Sequence, residues 1–290
     1  MKYMLWHLVI IGFAIGFPAF VAVSWISARS HTAPFPTSVG SPPKDFPVSL
    51  EEISFVTTDG LTLRGWYAPG ERASSAMILL HPFRSNRLSM LARARFLNEA
   101  GYGVLLYDAR AQGESDGEKI SVGYYETKDL LAAVRYLQDR GLERIGCLGV
   151  SQGAATVLLA AEQLESVRAV IVDNTYDTAL RAVDRRFRRR FGLPGWLAGA
   201  LYRPFTEWIL GVNAREISPY DRVAALTCPL LLIGGANDPY IRPDELKALY
   251  DRAPEPKHLW LVENAGHVDF LSADPNRYQK QILRFLDDHL

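Results

Sequence analysis

The sequence predicts an α/β domain, on three observations. An apolar run, Arg144–Leu148, meets the pentapeptide Gly149-Val150-Ser151-Gln152-Gly153 and continues into the helix-forming run Ala154–Ala161. Two further apolar runs, Cys228–Gly235 and Lys257–Val262, each feed a polar loop. Between strand-like runs, Glu126–Arg140 sets Leu130, Leu131, Val134 and Leu137 on one helical stripe. Strands and helices of this kind pack in layers, and open parallel sheets collect their functional groups beyond the C-terminal ends of the strands.

At 290 residues and 48% hydrophobic content, the chain can bury a large core, and a single α/β domain fits residues 49–290. Lys+Arg and Asp+Glu balance at 32 each, so no global field favours a nucleic-acid partner. No His/Cys cluster has metal-site spacing, so neither a metal nor another cofactor is expected.

The N-terminus is a separate matter. Met4 to Ile26 is apolar except for His7 and Ser24, and about 20 such residues span a bilayer core. The apolar part of a secretory signal is shorter, about 7–15 residues, and Ile26-Ser27-Ala28 is a poor cleavage site. Residues 1–29 therefore read as a single-pass transmembrane anchor, with a signal segment as the alternative. Lys2 on one side and Arg29 and Lys44 on the other give too little asymmetry to orient it. Residues 30–48, with Pro34, Pro36, Pro42 and Pro43, read as an extended tether.

Ala76–His81 is an early strand, and Pro82–Arg87 is its loop. His81 reads as a brace for that loop. Ser151 stands where a strand turns sharply into a helix, a setting that lifts its hydroxyl clear of the sheet. Side chains at Gly149 or Gly153 would collide with neighbouring elements there. The helix start aims the Gln152 N–H at any oxyanion formed beside the serine. Pro82 has no N–H to give, so Phe83 is the candidate for the second donor.

After the strand Ala169–Asp173, the alternation breaks from about 176 to 222, which reads as a helical cap insertion. Arg181, Arg185, Arg186, Arg188, Arg189 and Arg190 crowd one short helix, and Pro194, Trp196, Leu197, Leu201, Tyr202, Phe205, Trp208, Ile209 and Leu210 follow. Two readings stand side by side. In one, a solvated basic helix neighbours a helix packed on the core. In the other, the arginines rest on an anionic membrane and the aromatic side chains line an entry for an acyl chain. Neither implies a nucleic-acid partner.

A serine nucleophile in this setting needs an acid and then a histidine further along the chain. Asp238 lies just past the apolar run ending at Gly235, where its competing role is to start a turn before Pro239. His267 follows Gly266 in the loop after Lys257–Val262, and of the six histidines it alone combines that loop position with the required order. Asp269 is too close in sequence to orient the His267 ring from a separate strand.

With these blocks in place, the chain resembles the α/β-hydrolase superfamily over residues 50–290, and within it the serine aminopeptidase-like and dienelactone-hydrolase-like bacterial hydrolases. Phe55–Tyr67 resembles the opening hairpin, with Asp59-Gly60 as its turn. His81-Pro82-Phe83 occupies the place of a family His-Gly-x, and Pro82 departs from it. Tyr107-Asp108-Ala109-Arg110-Ala111-Gln112-Gly113-Glu114-Ser115 resembles the Asp-x-Arg-x-x-Gly-x-Ser stretch. The resemblance implies an eight-stranded, mostly parallel sheet flanked by helices, and a Ser151–Asp238–His267 triad. It also implies that one strand separates Cys147 from Cys228. Two strand spacings are about 10 Å, too far for a disulfide.

The expected function is that of a membrane-anchored serine hydrolase cleaving a carboxylic ester or thioester through an acyl-enzyme, on a small-molecule or lipid acyl substrate. The alternatives are a serine aminopeptidase-like peptidase and a catalytically silent lipid-binding hydrolase fold. A peptidase needs carboxylates to hold the substrate amine, and in the cap Asp184, Glu207 and Glu216 are outnumbered by arginines.

Overall fold

In the computed structural model of the chain, residues 2–192, 196, 198–267 and 269–290 are described. At 2–15, 190, 191, 198 and 201 the description is of the backbone alone. In chain order, helix α1 (Lys2–Thr32) leads to a short strand β1 (Phe35–Pro36) and the hairpin β2 (Glu51–Val56) and β3 (Thr62–Ala68). Strand β4 (Ser75–Leu80), helix α2 (Leu91–Glu99), strand β5 (Gly103–Tyr107) and the short strand β6 (Gln112–Gly113) follow. Next come α3 (Glu126–Asp139), β7 (Arg144–Val150), α4 (Gln152–Leu159) and β8 (Val167–Asp173). The insertion holds α5 (Ala179–Phe191), a π turn (Ala198–Tyr202), α6 (Arg203–Leu210) and α7 (Pro219–Arg222). The chain closes with β9 (Leu230–Gly235), α8 (Pro243–Arg252), β10 (Lys257–Val262), α9 (Phe270–Ala273) and α10 (Pro275–His289).

Eight strands form one sheet in the order β10-β9-β8-β7-β4-β5-β3-β2. The six from β10 to β5 run parallel, and β3 runs antiparallel to both its neighbours, β5 and β2. This is the expected eight-stranded, mostly parallel sheet. Its central strands are buried on both faces, which accounts for unbroken apolar runs such as Ala76-Met77-Ile78-Leu79-Leu80. One core lies on the face covered by α3 and α4, where Leu130, Val134, Leu137, Val157 and Leu158 meet Ile78, Leu105 and Val170. A second lies under α2 and α10, where Leu97, Tyr278, Ile282 and Phe285 meet Met77, Leu79 and Ile171. Cys147 and Cys228 are both free and buried, with β8 between their positions in the sheet.

The N-terminal region differs from its expected form. Among the described residues, no helix is long and apolar enough to cross a membrane. The transmembrane expectation finds no support there, and the first half of its apolar run, residues 4–15, lies outside the residues whose side chains are described. The C-terminal part of α1 packs on the cap. Trp25 meets the rings of Phe205 and Trp208 at 5.4 and 5.5 Å, and His31 meets Tyr202 at 5.8 Å.

Residues 30–48 lie against the domain rather than free of it. Strand β1 pairs in parallel with β6, and the Val39 N–H donates to Glu114 Oε1 at 3.0 Å. Phe46 enters the second core. Prolines keep the segment extended, while Phe46 finds apolar partners and Phe35 meets the Arg84 guanidinium; composition reports only the first of these effects.

Candidate active site

The residue at the head of α4 has a backbone that costs energy to hold. Ser151 follows β7 with φ 52° and ψ −108°, in a region that L-residues rarely enter. The two flanking glycines make the turn possible. A Cβ on Gly149 would strike the backbone of Gly153, and one on Gly153 would strike the Leu80 carbonyl at the end of β4. Gln152 opens α4, so its N–H belongs to the first helical turn and has no acceptor within the helix. Phe83 lies in the loop after β4, and β4 and β7 are neighbours in the sheet, which brings the loops bearing Phe83 and Gln152 to the same edge.

The loop bearing Phe83 is braced from three sides. His81 is buried, its Nε2 accepting the Ala109 N–H at 3.0 Å while Nδ1 bonds the Pro82 carbonyl at 2.8 Å. This pair of bonds assigns the neutral tautomer with the proton on Nδ1. Burial holds His81 below its ordinary pKa, against the Pro82 bond and the field of Asp108. It is a loop brace, as its position suggests. Arg84, at φ 52°, donates its backbone N–H to Gln112 Oε1 at 2.7 Å. Its guanidinium bonds the Ser30 carbonyl at 2.9 Å and lies 4.9 Å from the centre of the Phe35 ring. The N-terminal segment thus helps to shape this loop.

Asp238 and His267 come together. Asp238 follows β9, and its Oδ2 lies 2.7 Å from His267 Nδ1. Its Oδ1 accepts the N–H groups of Tyr240 at 2.7 Å and Ile241 at 3.0 Å. The turn-forming and imidazole-orienting roles are both filled, one by each oxygen. Burial works to raise this carboxyl, but the His267 bond and the two backbone donors outweigh it and hold Asp238 below the usual carboxylate range. The loop after β10 can approach β9 because Gly235 has no Cβ. The carbonyl oxygens of Ala265 and Gly266 occupy that space. Nδ1 is therefore the donor, leaving Nε2 to act as a base.

Strands β7, β9 and β10 deliver Ser151, Asp238 and His267 to the same edge of the sheet, with β8 between the first two strands. Among the described residues, no hydrogen bond joins the Ser151 hydroxyl to His267. Apo sites often hold such bonds long until substrate arrives.

Two features of the surroundings have no local signal in the sequence. Tyr240 places its ring edge-on to His267, with centroids 5.4 Å apart. Arg93 of α2, itself buried, reaches Asp173 at the end of β8 at 3.1 Å and Asp269 at 2.6 Å. Tyr278 of α10 completes the group, accepting from Arg93 Nε and donating to Asp173, both at 2.9 Å. Asp269 is thus committed to Arg93, and among the described residues Asp238 is the carboxylate that bonds His267. Among the described residues no group of acids, histidines or cysteines could hold a metal ion.

The insertion folds as helices α5 and α6 around the π turn. Among the described residues, three arginines of its cluster are paired with carboxylates. Arg181 pairs with Asp177, Arg185 with Glu245 and Arg188 with Asp184. Pro194 and Leu197 lie outside the described residues.

Comparison with known proteins gives a consistent account. A model of the alpha/beta hydrolase family matches residues 77–278. Protein YqkD of Bacillus subtilis is 29% identical over 245 residues, covering 82% of this chain and 80% of that protein. Protein YfhR of Escherichia coli K12 is 28% identical over 250 residues, covering 83% and 81%. Among solved structures, the Pyrococcus furiosus esterase Pf2001 superposes with a TM-score of 0.76 at 27% identity, over 89% of this chain and 98% of that one.

Proposed function

The chain belongs to the α/β-hydrolase family, and from that membership we propose that it is a serine hydrolase cleaving a carboxylic ester or thioester through an acyl-enzyme on Ser151. The observation that carries the proposal is the 2.7 Å contact of His267 Nδ1 with Asp238, at the sheet edge where Ser151 takes its strained turn. Likeness to the Pyrococcus furiosus esterase supports ester chemistry.

In this mechanism the Ser151 hydroxyl attacks the carbonyl carbon while His267 Nε2 takes its proton. The resulting imidazolium is stabilised by Asp238, which stays ionised. The Phe83 and Gln152 N–H groups receive the oxyanion, each contributing roughly 3–4 kcal/mol to lowering the barrier. His267 then returns the proton to the departing alkoxide or thiolate. Water repeats the sequence on the acyl-enzyme and frees the acid.

The same reading sets the enzyme at a membrane surface. The apolar run from Met4 to Ile26 supports it, together with exposed Phe17, Val23 and Ile26 on α1 and exposed Trp208 on α6. Loss of the protein from the membrane fraction on removal of residues 1–16 checks this part; an unchanged distribution contradicts it. The catalytic part is checked with a fluorophosphonate probe. The wild-type chain should be labelled and Ser151→Ala should not. Labelling that persists in the variant overturns the nucleophile assignment.

A further inference from the structure

The arginines of α5 divide by their partners. Three are matched with carboxylates, as described above. Among the described residues, Arg186 and Arg189 pair with none. Both guanidinium groups lie over the ring of Tyr240 instead, at 5.8 and 5.2 Å from its centre. That ring meets the His267 imidazole edge-on, and the Tyr240 N–H donates to Asp238. A short run of contacts therefore leads from the cap arginines to the site's histidine.

Arg186 occupies a particular position in this run. One of its N–H groups bonds the Ala182 carbonyl of its own helix at 3.2 Å. The residue is exposed overall, and the side that bonds Ala182 is part-buried. Its charge acts on Tyr176, Tyr240 and Tyr202 and on Asp238. Crowding holds the guanidinium below its ordinary pKa, against the pull of Tyr176, Asp238 and Tyr240. Asp238 cannot serve as its hydrogen-bonding partner, because both carboxylate oxygens are already engaged by His267, Tyr240 and Ile241. A partly desolvated cation without a hydrogen-bonded anion is a costly arrangement that an anionic ligand relieves. A guanidinium over an aromatic face keeps its edge N–H groups available, and their fork matches a carboxylate.

We propose that Arg186, with Arg189 beside it, is the anion-recognition element of the acyl site, and that the substrate ester carries a carboxylate on its acyl chain. The inference rests on the hydrolase reading and narrows its substrate class. Two unmatched cations also disfavour a substrate whose acyl end is a protonated amine.

The test compares p-nitrophenyl half-esters of adipic, suberic and sebacic acids with uncharged p-nitrophenyl esters of equal chain length. The wild-type enzyme should favour the half-esters in kcat/KM. Arg186→Gln should lose about 10–100-fold on them, the range of a charged hydrogen bond. That loss should exceed the loss on the uncharged esters by at least about tenfold. Arg186→Lys should recover part of the preference, and added salt should weaken it. Equal losses on both series, or no wild-type preference, overturn the proposal while leaving the hydrolase reading intact. Weaker binding of Arg186→Gln to anionic phospholipid vesicles, with the ester preference unchanged, would assign the arginines to a membrane surface and also overturn it. If the wild-type chain hydrolyses neither series, the hydrolase reading fails. Adipate binding by Ser151→Ala, and its loss in Ser151→Ala/Arg186→Gln, then judges Arg186 on its own; no such loss ends the proposal.

Discussion

Arg93 and Asp269 form a 2.6 Å ion pair that ties helix α2 to the loop carrying His267. The same guanidinium faces the fully buried Asp173, so it satisfies one carboxylate in the core and one at the rim. Removing it strands a buried charge. Arg93→Met should destabilise the fold by about 3–5 kcal/mol in denaturant titration. Arg93→Lys keeps the charge and should lose less, yet should still impair catalysis because one ammonium cannot reproduce the guanidinium fork. A stability change under about 1 kcal/mol for Arg93→Met would show that the network does not hold the loop.

Asp238 yields a prediction about pH. Its folded-state pKa lies below the ordinary carboxylate value, so the unfolded chain binds its proton first as acid is added. The stability it contributes is present above about pH 4 and is lost as pH falls through the folded value. Chemical denaturation at a series of pH values should show this acid limb, and Asp238→Asn should flatten it. The same variant at neutral pH should lose about four orders of magnitude in kcat, because an amide does not hold the imidazole in the required tautomer. A variant that keeps most of its activity would remove Asp238 from the mechanism.

The N-terminal segment makes separate demands on two truncations. Deletion of residues 1–16 leaves Trp25, Ser30, Phe35 and Phe46 in place, so stability and activity on short esters should persist. Deletion of residues 1–48 removes the Ser30 and Phe35 contacts of Arg84 and the buried Phe46. It should cost about 3 kcal/mol or more in stability, the scale of two apolar side chains lost from burial. It should also lower kcat by loosening the loop that carries Phe83. Equal behaviour of the two truncations would contradict the brace.

The local part of this site is legible in the amino-acid sequence. Ser151, Asp238 and His267 each follow an apolar strand with a glycine close by, a pattern carried within ten residues of chain. The parallel sheet is legible for the same reason, since buried strands read as unbroken apolar runs. Arg93 is not, because its partners lie 80 and 176 residues away and nothing in the sequence of α2 sets it apart from Arg95. Tyr240 is hidden by its neighbourhood, a turn dominated by Asp238 and Pro239. The prolines of residues 30–48 report an extended backbone, whereas Phe35 and Phe46 decide where that segment docks. In α5 the partners of Arg181 and Arg188, Asp177 and Asp184, lie four residues away in sequence, whereas Glu245, the partner of Arg185, lies 60 residues away and leaves no local signal.

In the proposed reaction an acyl group passes through the hydroxyl at position 151. The most direct measurement is peptide mapping by mass spectrometry after rapid acid quench of the enzyme turning over p-nitrophenyl acetate. An acetyl adduct should appear on the peptide containing Ser151. An adduct confined to another residue, or steady release of nitrophenol with no adduct at any time point, would contradict it.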